Sequence, residues 1–151
     1  MSGLLLRSGG VLTMILLAAT PLQAEQPAPA GRVKTVSGSA FIVRQSGTVP
    51  ARAGDAVFAS DALRTAADGT VGVTLQDDTR ISLGPSSEVR LERYVYAPGE
   101  GGLGMVLNFV RGVSAYVSGR MAKLAPNSIR LETPGAIVGV RGTTVAVRVD
   151  P

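Results

Sequence analysis

The chain has 151 residues, enough for one domain, with 45% hydrophobic residues to build a core, 19 glycines, 9 prolines and only 4% aromatic residues. That composition argues against helices packed on large side chains and for short strands joined by turns. The formal net charge is +4 at pH 7, and the absence of cysteine and histidine removes disulfides, thiol catalysis, a histidine base and the usual ligands of zinc, copper and haem.

The first residues read as a separate unit. Arg7 is a basic flank, residues 11–19 are an apolar run, and Leu22, Gln23 and Ala24 supply a small residue at a cut site. This is the pattern of a secretory signal peptide spanning residues 1–24, removed after Ala24. The run is too short to span a membrane, and no other stretch qualifies, so the mature chain is expected to be soluble and without a membrane span. Export without cysteine fits a bacterial periplasm. Loss of Arg7 leaves a net charge of +3. The basic residues are interspersed with acidic ones and the few aromatics are scattered, so nucleic acid is not an expected partner.

Residues 25–30 (EQPAPA) form a flexible, proline-rich lead-in, and residues 31–151 the domain. Val33, Val36, Ala40 and Ile42 predict two strands meeting in a hairpin or bulge at Ser37, Gly38 and Ser39. Short strands follow near Ala56 and Leu63. A ten-residue spacing then links Val71, Ile81 and Leu91, and likewise Leu63, Val73 and Leu83. Apolar and polar residues alternate within each unit, as half-buried strands require. The expected fold class is all-β, a single domain of short strands forming either a β-roll or solenoid-like ladder or a meander sandwich. Residues 94–104 (YVYAPGEGGLG) read as a long loop, Arg111 and Gly112 as a turn, and residues 118–125 as one helical turn limited by Gly119 and Pro126.

The most constrained stretch is residues 132–147, ETPGAIVGVRGTTVAV. Thr133, Pro134 and Gly135 predict a turn, because proline fixes φ and glycine takes angles other residues avoid. β-formers follow, with Gly139 and Gly142 flanking Arg141. An arginine inside an apolar strand must find acceptors. It acts either as a structural clamp, reaching Asp55, Asp61 or a group of carbonyls, or as a docking residue for an anion or partner. The strand from Thr144 to Val149 is expected to leave an edge open to a partner strand or to self-association.

These residues carry a resemblance. Gly31, Arg32 and Val33, then Gly54, Asp55 and Ala56, residues 61–65 and residues 116–123, and above all Thr133 and Pro134 through Gly139, Arg141, Gly142 and Thr143, resemble a FecR-domain protein. The resemblance spans residues 31–149 and implies an all-β periplasmic domain of Gram-negative bacteria. In the best-known members that domain belongs to an inner-membrane regulator relaying an iron-siderophore signal to a sigma factor. Here a signal peptide stands where those regulators carry a cytoplasmic segment and a spanning helix, so the domain carries over and the transmembrane relay does not.

Chemistry is expected to be absent. The glycines at 99, 101 and 102 lack the helix and lysine of a phosphate loop, and Ser86, Ser87, Glu88 and Lys123 read as a turn and a surface lysine. Asp77 and Asp78 could share a cation only within a turn, and a solvated hairpin is the expectation. Arg80 and Arg90 are expected on neighbouring strands, in a solvent-side charge ladder. No cofactor or metal is expected. The function that follows is a non-enzymatic, periplasmic binding module in envelope signalling or sensing, with an envelope protein as partner. The alternative is a structural envelope scaffold.

Overall fold

A computed structural model describes residues 27–138 and 144–151, with residues 3, 9–10 and 18–22 ahead of them. In chain order the strands are β1 (Gly31–Ser37), β2 (Ala40–Arg44), β3 (Gly47–Pro50), β4 (Ala56–Val57), β5 (Ala62–Thr65), β6 (Thr70–Leu75), β7 (Arg80–Leu83), β8 (Glu88–Ala97) and β9 (Gly102–Val117). The short helix α1 (Arg120–Leu124), β10 (Ile129–Thr133), β11 (Ala136–Val138) and β12 (Thr144–Val149) follow. The protein is all-β, a curled and mainly antiparallel sheet.

β9 is the axle. Its first half pairs antiparallel with β8 and parallel with β10, and its second half pairs antiparallel with β7 and β12. A strand has two edges, so β8 and β7 follow one another along one edge while β10 and β12 take the other. From β8 the sheet continues through β5, β2 and β3, and from β7 through β6, β1 and β4. These two wings curl over a common core. Met105, Leu107 and Phe109 face it from the first half of β9, and Ser114 and Tyr116 from the second. The inward parity changes from odd to even because β9 carries one extra residue, Val110, opposite the step from Glu88 to Val89, and Gly112 takes φ +82° just beyond it. The shift turns Val113 outward, 51% exposed. Met121 of α1 is fully buried in the same core.

Several expectations are corrected here. Arg111 and Gly112 are a bend within a continuous strand, not a turn. Residues 94–104 are not a loop. They are paired hairpin, with Tyr94 opposite Met105 and Ala97 opposite Gly102, closed by a 3₁₀ turn at Pro98–Glu100. Glycines had hidden the alternation. β1 and β2 do not pair, because Gly38 (φ +62°) turns the chain from one wing to the other. A Cβ on Gly38 would collide with the Asp68 carbonyl, and one on Gly69 with the Ser39 carbonyl, so the two crossings lie against each other.

The ten-residue spacing has a different origin from stacked rungs. β6 and β7 form an antiparallel hairpin with Val71 opposite Leu83 and Val73 opposite Ile81, while β5 pairs with β8. Ten residues is the length of a strand plus its turn. Arg80 and Arg90 consequently sit in different wings. The outer-face charge ladder is instead Arg64, Glu88 and Arg111 across β5, β8 and β9, with Arg111 3.5 Å from Glu88.

Candidate functional site

Of the residues singled out near the C-terminus, Thr133 and Pro134 belong to the β10–β11 hairpin on the second edge of β9. Thr133 ends β10, Pro134 and Gly135 make a two-residue exposed turn, and Thr133 pairs with Ala136. The Thr133 hydroxyl lies 3.4 Å from the Ala136 carbonyl it donates to. Beyond the turn Ile137 is 69% exposed. With Leu103, Val106, Val138, Arg93 and Arg130 it lines a groove of about 320 Å³. Gly139, Arg141, Gly142 and Thr143 lie outside the described residues. The two carboxylates expected to meet Arg141 both have other donors. Asp55 accepts from the Arg52 N–H at 2.9 Å, and Asp61 is held by Arg44.

β12 runs back along β9 with Val145, Val147 and Val149 against the core and Thr144, Ala146 and Arg148 outward. Its expected open edge is present: among the described residues β12 pairs with β9 and nothing else. A cavity of about 490 Å³ lies at its end, lined by Arg111, Val113, Arg148, Val149 and Asp150 among others.

Two polar clusters went unnoticed in the sequence. In the first, Arg44 Nε donates to both oxygens of Asp61 at 3.2 and 3.1 Å, and its Nη2 to the Ala56 carbonyl at 2.7 Å. Its guanidinium lies 5.3 Å from the centre of the Phe58 ring, and the Phe58 N–H donates to Asp61 at 2.8 Å. This pair borders a cavity of about 690 Å³, which Ser60, Arg90 and Glu92 also line. Both charges are spent on each other and on the backbone, so the cluster fixes the β2, β4 and β5 junction. Asp61, flanked by turn residues ahead of a strand, was the available signal.

In the second, Asp77 is fully buried and its carboxylate accepts four hydrogen bonds. The donors are the Tyr94 hydroxyl (2.9 Å), the Thr79 hydroxyl (2.8 Å) and the N–H groups of Thr79 and Met121 (3.3 and 3.2 Å). The Asp77 N–H donates in turn to the Tyr94 hydroxyl at 3.0 Å. The expected solvated turn is therefore wrong for Asp77. Only Asp78 is exposed, at φ +66°, paired with Arg120 at 2.8 Å. The two carboxylates diverge and cannot share an ion. Burial, then the nearby Asp77 charge, pushes the Tyr94 phenol well above its ordinary range. Burial likewise raises Tyr116, whose hydroxyl lies beside Ser118 and Thr79.

The elements thus assemble an all-β domain with polar joints inside and an open, partly apolar edge at its C-terminal end. A family model described as FecR protein matches residues 61–151, from the start of the β5 wing through β12. The chain belongs to the FecR protein family. Residues 31–60, included in the expected resemblance, lie outside the matched stretch. Neither the curated proteins nor the solved structures contain a match. Membership suggests a role related to envelope signalling, in a family that is regulatory. No helix among the described residues is long and apolar enough to cross a membrane.

Proposed function

We propose that the domain of residues 31–151, carried on a chain released by cleavage after Ala24, works in the periplasm as a non-catalytic interaction module of an envelope signalling system. The partner is an envelope protein, met at the C-terminal edge of the sheet. The residues assigned to this contact are Thr133, Pro134, Gly139, Arg141, Gly142 and Thr143, with Arg141 either clamping the segment or meeting the partner. One observation carries the reading: Ile137, next to the Pro134 turn, is a large apolar side chain left 69% exposed on an edge strand. Leu103, Val106 and Val138 line the groove with it, and Arg93 and Arg130 add positive charge. An interface of this kind suits an apolar surface carrying acidic residues.

A photo-crosslinking residue placed at Ile137 in living cells should capture one defined envelope protein, and one placed at Thr48 on the far edge should not. Capture should be lost when Arg93→Glu and Arg130→Glu are added to the chain carrying the crosslinker at Ile137, with circular dichroism unchanged. Equal capture from both positions, or none from Ile137, would overturn the reading. Arg141→Ala separates the two roles of Arg141: lost capture with the fold intact makes it a docking residue, and a collapsed fold makes it the clamp.

A further inference from the structure

The curled sheet has four edge strands among the described residues, β3, β4, β11 and β12. An open edge is a template for another chain, and proteins blunt such edges with short strands, proline, inward charges or bulges. β4 has two residues and β11 three, and β3 ends in Pro50, which has no N–H to give. β12 has none of these devices. It is six residues long (TVAVRV), four of them β-branched, with no glycine, proline or lysine and with its charge, Arg148, on the outer face.

We propose that β12 is a dimerisation edge, pairing antiparallel with β12 of a second copy across a two-fold axis at Ala146. This rests on the C-terminal edge being the contact surface, as in the reading above, and names a second copy as the occupant of its β12 part. The strand is self-complementary in that register. Thr144 faces the partner's Arg148, Val145 faces the partner's Val147, and Ala146 faces its own equivalent, so the smallest side chain sits at the axis. Parity is preserved, so Val145 and Val147 stay on the core side of both copies and Arg148 stays outside. No like charges face each other, whereas centring on Val147 would bring the two Arg148 side chains onto the same diagonal. Identical edges meeting about a two-fold axis close the assembly at two copies and leave no β12 edge free.

The chain has no cysteine, so a single introduced one reports the register. Directly opposed residues in an antiparallel pair have Cα atoms about 4.5–5.5 Å apart, within disulfide range. Mild oxidation should link Ala146→Cys into a covalent dimer. Thr144→Cys and Arg148→Cys should stay monomeric singly and link when combined in one chain. In light scattering, the wild-type protein should show a concentration-dependent dimer that Ala146→Lys abolishes with its circular dichroism unchanged. A wild-type monomer at every concentration overturns the proposal. So does a dimer in which Ala146→Cys links no faster than Ile137→Cys. Capture of a different protein at Ile137 by a strictly monomeric chain would sink this inference alone, and a dimer with no capture would sink only the signalling reading.

Discussion

Ser87 and Val113 are joined across the bend of β9 by a single hydroxyl. Ser87 Oγ accepts from the Val113 N–H at 2.9 Å and lies 3.0 Å from the carbonyls of Val113 and Pro85. It stands where the ladder between β9 and its neighbours is interrupted by the bulge, and it supplies the partner the backbone lacks. Thr65 completes the joint, donating to the Gly84 carbonyl at 2.7 Å and accepting from the Ser87 N–H at 2.9 Å.

Ser87→Ala should therefore cost more than a surface substitution. It leaves the half-buried Val113 N–H without its acceptor, a loss of about 1–3 kcal/mol. Gly112→Ala should be worse, because the φ of +82° disfavours a side chain and a Cβ would run into Ser87 Oγ and lie 2.6 Å from the Ser86 carbonyl. Urea unfolding should rank wild type above Ser87→Ala, and Ser87→Ala above Gly112→Ala. Equal stabilities would mean that the bend is held elsewhere.

Asp77 gathers the β6–β7 turn, β8 and α1 around one carboxylate, through Thr79, Tyr94 and Met121. Asp77→Ala leaves four donors without an acceptor and should lower stability by about 3 kcal/mol or more. Asp77→Asn keeps the shape and part of the acceptor capacity and should cost less. The exposed neighbour gives the control: Asp78→Ala loses only a surface pair with Arg120, worth about 0–1 kcal/mol. Melting curves that ranked Asp78→Ala as the more damaging would contradict this assignment.

Arg44 is about a third exposed, while the Asp61 side chain is almost wholly buried. Removing the arginine strands the carboxylate with the Phe58 N–H as its remaining partner, so Arg44→Ala should cost about 2 kcal/mol, below the 3–5 of a fully buried pair. Arg44→Lys keeps the charge but loses the fork that reaches Asp61 and Ala56 together, and it should recover only part. A double-mutant cycle with Asp61→Asn measures the coupling, and additive losses would show that the two residues act independently.

What could be read from the sequence follows the physics of each signal. Alternation at Val71 to Leu75 and at Arg80 to Leu83 reports one buried face, and those strands are where alternation placed them. The turn at Pro134 and the limits of α1 were equally visible, since proline and glycine act locally. Pairing partners were not. Nothing local says that β5 meets β8, because the contact joins Leu63 to Val89 across an intervening hairpin. Unbroken alternation through Met105, Leu107 and Phe109 would put Val113 inside, and a one-residue bulge changes that parity without changing composition. Asp77 and Asp78 look alike in sequence and differ in fate, because tertiary donors reach only the first. Of the residues assigned to the site, Thr133 and Pro134 are described, and their turn and exposure are now known.

The two raised tyrosines make stability depend on alkaline pH. Unfolded tyrosines ionise near 10.0, whereas in the folded protein burial holds the Tyr94 and Tyr116 protons to higher pH, and Asp77 faces both. Above that value the unfolded state releases protons that the native state keeps. The contribution is thus fully present below about pH 10 and lost as pH climbs towards the raised values, at up to about 1.4 kcal/mol per pH unit for each phenol. Melting temperature should fall between about pH 9 and about pH 11. Tyr94→Phe should start lower, because Asp77 loses a donor and its own N–H an acceptor, but should fall less steeply over the same range. A slope unchanged by Tyr94→Phe would show that Tyr94 does not carry the alkaline loss.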